Sequence, residues 1–96
     1  MGAPATDNPV VDNRAQGRFE LTEEGLTAFA SYSRRAGALV IPHVEAPVPL
    51  RGKGTAGRLM EGVARHARAE GVKIIPLCPY AAAWLKRHPE YADVAG

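Results

Sequence analysis

The stretch Leu50-Arg51-Gly52-Lys53-Gly54-Thr55-Ala56-Gly57-Arg58-Leu59 restricts the folds open to this chain more than any other. A glycine-rich, basic loop runs directly into an amphipathic helix. Glycine takes positive φ at little steric cost and lets a ligand approach bare backbone amides. The first amides of a helix have no intrahelical partner, and the macrodipole places partial positive charge beside them. Such a loop makes an anion site, most naturally for a phosphate or pyrophosphate. Arg51, Lys53 and Arg58 crowd it, and no acidic residue stands between Glu45 and Glu61 in the sequence. That local charge favours an anionic ligand.

The rest of the chain reads as a platform for this loop. Residues 1–9 are small, polar and proline-containing, and are expected to form a mobile tail, leaving 10–96 as one domain. Val10–Arg14 suits a short edge strand. Arg18–Thr22 alternates polar and apolar residues as a half-buried strand should, and Glu23-Glu24-Gly25 suits a hairpin-type turn. Leu26–Arg34 sets Leu26, Ala28, Ala30 and Tyr32 on one face and Thr27, Phe29, Ser31 and Ser33 on the other. Its alanines tolerate a helix, but the turns on both sides favour a strand. Ala38–Ala46 is β-branched and is expected to be the central strand, with Pro42 marking a bulge or an edge position. From Thr55 to Glu70, the residues Ala56, Leu59, Met60, Val63, Ala64 and Ala67 make an apolar stripe at helical spacing. Glu61 and Arg65 form a favourable i,i+4 pair, and Gly71 is a helix-ending glycine. Val72–Leu77 is a short strand, Tyr80 or Ala81 through Arg87 a last helix ended by His88-Pro89, and residues 90–96 a short tail. A strand, a helix and a strand in this order imply a right-handed crossover and a parallel pair. The expected fold class is α/β (α+β): an antiparallel meander, the loop and its helix, a parallel strand and a C-terminal helix. Two strands parting at the proline-broken segment would leave a slot for an elongated ligand.

Composition excludes several function classes. A net charge of +2, with both signs mixed along 96 residues, is too weak to argue for nucleic acid. Gly54-Thr55-Ala56-Gly57 is formally the Gly-x-x-Gly of KH domains, but those place it between two helices, whereas here a strand precedes it. One cysteine excludes an internal disulfide and a cysteine zinc site, and no metal is expected. The first residues lack the basic and apolar regions of a secretory signal, and no apolar run is long enough to span a membrane. A cytoplasmic monomer or weak dimer is the expectation.

The order of elements, with Arg51-x-x-Gly54-x-Ala56 at the strand-to-helix step, resembles the GNAT acetyltransferase superfamily. The match is closer still to its short single-domain branch, the YjdJ-type N-acetyltransferase domain-containing proteins. His43-Val44-Glu45-Ala46, Leu50-Arg51-Gly52-Lys53-Gly54, Ile75-Pro76-Leu77-Cys78-Pro79-Tyr80 and Arg87-His88-Pro89-Glu90-Tyr91 stand in that branch's order. Val44, Ala46 and Pro49 depart from its usual threonine, valine and acidic residue. The resemblance implies that the amides of Gly52, Lys53, Gly54, Thr55, Ala56 and Gly57, with Arg51, hold the pyrophosphate of acetyl-CoA. Ala46 would meet the pantetheine arm and acyl carbonyl through its backbone. The activity implied is N-acetyl transfer to an amine acceptor that the sequence does not identify. The alternative is an acyl-CoA-binding module or Cys78-acylated carrier with little turnover.

Acyl transfer to an amine needs a base for the ammonium proton, donors for the oxyanion and an acid for the departing thiolate. His43 and Glu45, two apart on a strand, share a face just before the expected thioester position; the bland alternative is a structural polar pair. Cys78 lies at the carboxyl end of the parallel strand, where a helix start favours a nucleophilic thiol; otherwise it is a small buried hydrophobe. Tyr80 could protonate the CoA thiolate, as a tyrosine does in many GNAT enzymes. The family's tyrosine position could instead fall on Trp84, which cannot act as an acid.

Overall fold

A computed structural model describes residues 9–96. All but the last residue of the expected tail over residues 1–9 lies outside the described residues. The meander forms as its alternation predicts: β1 (Val11–Asn13), β2 (Arg18–Glu23), β3 (Leu26–Arg35) and β4 (Ala38–Glu45). A short 3₁₀ turn over Val48–Leu50 leads into the loop and α1 (Thr55–Glu70), followed by β5 (Lys73–Pro76) and α2 (Pro79–Arg87). The sheet order is β1-β2-β3-β4-β5; the first four strands are antiparallel, and β4–β5 is the parallel pair.

Alternation along the strands sorts one face into the core. Phe19 and Leu21 of β2, Ala28 and Ala30 of β3, Leu39 and Ile41 of β4 and Ile74 of β5 join one cluster with Leu59, Met60, Val63, Ala64 and Ala67 of α1. Ala81, Trp84 and Leu85 of α2 join it, as do Val10, Cys78, Tyr91 and Val94. Ala56, the first residue of the expected stripe, is only half-buried, because it belongs to the rim of the loop. The other sheet face carries Arg18, Glu20, Phe29, Ser31, His43 and Glu45, all half-buried or exposed. Among the described residues, no helix is long and apolar enough to cross a membrane.

Pro42 changes the direction of every side chain after it. Ser31 pairs with His43, but Ser33 pairs with Val40, so β4 spends three residues where β3 spends two. This is a bulge of one extra residue, where a proline's missing donor costs no ladder bond. Without it, residues 39, 41, 43 and 45 would share the core face. With it, Val44 and Ala46 pack towards the core while His43 and Glu45 turn outwards. The β4–β5 register ends at the same place, at Ile41↔Pro76. The amides of Leu77 and Cys78 both donate to the Ile41 carbonyl, at 3.0 and 2.9 Å, and the chain then leaves for α2.

The C-terminal residues depart from expectation. Instead of a tail, Pro89–Val94 forms two short 3₁₀ turns that meet at a kink at Tyr91 (φ −111°) and bury Tyr91 and Val94. Single turns joined at a kink are too short to register as a pattern in the sequence. Arg68 clamps the segment through Asp93 and the Glu90 carbonyl, and the Gly96 amide donates to the Ile74 carbonyl at 2.7 Å. Tyr91→Ala is therefore expected to lower the unfolding free energy by about 3 kcal/mol in urea titration, a core-scale loss. A change within about 0.5 kcal/mol would mean the segment is a tail after all.

Candidate active site

The loop is built from backbone that only glycine adopts easily. Gly52 and Gly54 have φ of 82° and 81°, in the left-handed region. Gly54 is the N-cap of α1 and offers no side chain to the helix. The first-turn amides of α1 therefore face outwards without a side-chain cap. A Cβ on Gly54 would approach Arg58 Nη1 to 3.0 Å.

A slot of about 230 Å³ opens in front of these amides. Ala46 reaches it from the end of β4, and Leu50, Arg51 and Gly52 from the loop. Gly54-Thr55-Ala56-Gly57 line it from the start of α1, and Tyr80 from the first turn of α2. Every expected cofactor contact except Lys53 thus lines one cavity. Arg51 is folded back, its Nε donating to the Ala46 carbonyl at 3.1 Å, which ties the strand end to the loop.

Of the two candidate positions for an acid, Tyr80 is the one in the slot. Burial pushes its hydroxyl above the ordinary tyrosine value, against a smaller lowering by Arg87, so it stays a proton donor at neutral pH. Trp84 is buried and stacked on His88, with ring centroids 3.9 Å apart. His88 Nδ1 meets the Trp84 carbonyl at 2.8 Å, which fits its expected place at the helix end. Gly57 lies close to the polar edges of both side chains: a Cβ there would sit 3.6 Å from Trp84 Nε1 and 3.7 Å from the Tyr80 hydroxyl.

His43 and Glu45 do share a face and contact each other, His43 Nε2 to Glu45 Oε1 at 2.9 Å. Both side chains are half open to water, 56% and 52% exposed. Neither lines the slot; the next residue, Ala46, does. Cys78 is the N-cap of α2, buried at the point where β4 and β5 part. Its side chain belongs to the core cluster.

Charge around the loop differs from the sequence reading. Acids absent from the neighbouring sequence arrive through space from the β2–β3 turn. Lys53 Nζ lies 3.0 Å from both carboxylate oxygens of Glu24. Arg58 donates from Nε and Nη2 to Glu23 at 2.7 and 2.8 Å, and from Nη2 to the Lys53 carbonyl at 2.9 Å. Thr55 Oγ1 donates to Glu23 at 2.7 Å. Hydrogen bonds from Arg58, and then from Thr55, hold the Glu23 carboxyl down to about 2. Topology offered a signal for these contacts. In a meander β2 and β4 run the same way, so the turn after β2 and the loop after β4 lie at one end of the sheet.

The sequence profile of the GCN5-related N-acetyl-transferase family matches residues 18–94, and the chain belongs to that family. In fold it is similar to the NMR solution structure of a GCN5-like protein from Staphylococcus aureus, with a TM-score of 0.66 and 24% identity. That likeness covers 94% of this chain and 90% of the other. No curated protein matches the chain.

Glu23 has a pH signature. Its folded value lies below the ordinary 4.5, so its contribution to stability is full above pH 4.5 and is lost as pH falls through about 2. Chemical denaturation of the native protein and Glu23→Gln is expected to show a constant stability gap above pH 5 that closes between pH 4.5 and 2. A gap independent of pH would mean that the carboxylate is not held in this way.

Proposed function

We propose that the protein is an acetyl-CoA-dependent N-acetyltransferase, with residues 10–96 as one acetyl-CoA-binding domain working in the cytoplasm. The observation that carries the reading is the single slot that unites Ala46, Arg51, the left-handed glycines, the first-turn amides of α1 and Tyr80. Uncapped helix amides beside backbone free of Cβ suit a pyrophosphate. Family membership supports the donor, because GNAT proteins use acetyl-CoA.

The roles follow from position. The amides of Gly52, Gly54, Thr55, Ala56 and Gly57 hold the pyrophosphate, with Arg51 adding charge. Acetyl-CoA supplies an activated acyl thioester. In the transfer a C–N bond to the acceptor amine forms and the C–S bond breaks. Glu45, with His43 beside it, accepts the proton that the ammonium must lose; their exposure suits an acceptor arriving from solvent. Tyr80 gives its proton to the departing thiolate. Cys78 offers a second route, in which the thiol takes the acyl group and passes it to the amine. Its place at the parting of the strands favours that route, and its burial opposes it.

A broad amine-acceptor screen with detection of released CoA tests the activity. With an acceptor in hand, Tyr80→Phe is expected to lower kcat about a hundredfold. Glu45→Gln is expected to remove the acid-side limb of the kcat/KM profile. A Glu45→Gln profile of native shape would eliminate Glu45 as the base. Mass spectrometry after exposure to acetyl-CoA decides the Cys78 route: an adduct absent from Cys78→Ala supports it, and unchanged turnover in that variant removes it.

A further inference from the structure

The β2–β3 turn holds a backbone anomaly next to the loop. Glu23 pairs with Leu26, so the connection is the two residues Glu24 and Gly25, with φ of 53° and 75°. Positive φ at both positions is the type I′ turn, which Asn-Gly, Asp-Gly or Gly-Gly fills best. Glutamate is uncommon there, as is Ala36 at φ 29° in the β3–β4 turn; what sets Glu24 apart is its side-chain partner. The side chain of Glu24 reaches Lys53, between the two left-handed glycines of the loop, at 3.0 Å from each carboxylate oxygen.

The two acids of the turn differ in what they hold. Glu23 fixes Arg58 and Thr55 with three close hydrogen bonds, and Arg58 is tied again to the Lys53 carbonyl. Arg58 is thereby built into the loop. The Lys53–Glu24 pair lies in water, with side chains 50% and 59% exposed. A pair like this is worth little and exchanges readily. Lys53 is also the one expected cofactor contact that does not line the slot.

We propose that Glu24 is a stand-in for a ligand phosphate: it holds Lys53 in the free protein and yields it to a phosphate group of the CoA thioester. Glu24 thereby sets the affinity of the loop and its preference for highly charged ligands. The pyrophosphate of CoA presents two adjacent anionic phosphates, together more charge and more acceptor oxygens than one carboxylate, so it wins the lysine. The inference rests on the acetyl-CoA reading and adds an affinity-determining residue to it.

The test is calorimetry with CoA on the native protein, Glu24→Asn, Lys53→Ala and the double variant. Asparagine suits the left-handed turn and removes the charge, so the hairpin is kept; thermal melting checks this. Glu24→Asn is expected to bind CoA about three- to fivefold more tightly than the native protein, with a larger gain at low salt. In the Lys53→Ala background the same change is expected to have no effect. Equal or weaker binding by Glu24→Asn, or a gain that survives in Lys53→Ala, overturns the inference alone. Absence of native CoA binding at millimolar ligand overturns the acetyl-CoA reading and this inference with it.

Discussion

One carbonyl decides where this sheet opens. Ile41 takes the amides of both Leu77 and Cys78, and with those two bonds the β4–β5 ladder ends. The next residue, Pro42, has no amide to extend it. Past that point β4 keeps its antiparallel partner on one side, with Val44 opposite Ala30 and Glu45 opposite Phe29, while the chain after β5 turns into α2. The parting leaves the end of β4 beside the starts of α1 and α2. Had the ladder continued, Ala46 and Tyr80 would not face the same cavity.

The bulge and the parting act together. An extra residue in an antiparallel strand reverses the alternation beyond it. Here it puts Val44 and Ala46 on the core side and sends the His43–Glu45 pair to the outer face. A polar pair that would otherwise be buried without adequate partners becomes an accessible one. On the other side of the cavity, two glycines in left-handed backbone turn the chain sharply into α1, and the clasp from Glu23 to Thr55 and Arg58 fixes that turn. A rigid clasp limits the freedom that the loop would lose on holding an anion, which is how preorganisation favours binding. On the proposed reading, the affinity for phosphate depends on the balance between loop cations and the two acids of the neighbouring turn.

Much of this was legible in residue patterns, for identifiable reasons. The strands were readable because only one sheet face is buried, so Phe19, Leu21, Ala28, Ala30, Leu39 and Ile41 alternate cleanly with polar or half-exposed neighbours. The helix start at Thr55 was readable because glycines and an apolar stripe meet there. Pro42 marked its bulge because proline is tolerated in few strand positions. What escaped was through-space chemistry. Charge counted along the chain left Lys53 and Arg58 free, whereas the turn after β2 brings Glu23 and Glu24 against them. The last segment escaped because it is two short turns joined at a kink, held by Arg68 and Lys73, far away in sequence. In the candidate site, the loop proposed to hold the cofactor was readable as a loop because its backbone geometry dictates glycine. The candidate catalytic side chains are not dictated by backbone, so their proposed roles rest on where the fold puts them.

The measurement that bears most directly on the slot is an NMR titration of the labelled protein with CoA, following each backbone amide. The largest shifts are expected at Gly52, Gly54, Thr55, Ala56 and Gly57, with smaller ones at Ala46 and in the first turn of α2. Saturable shifts confined to another surface, or none at millimolar CoA, would contradict the loop's role as a pyrophosphate cradle.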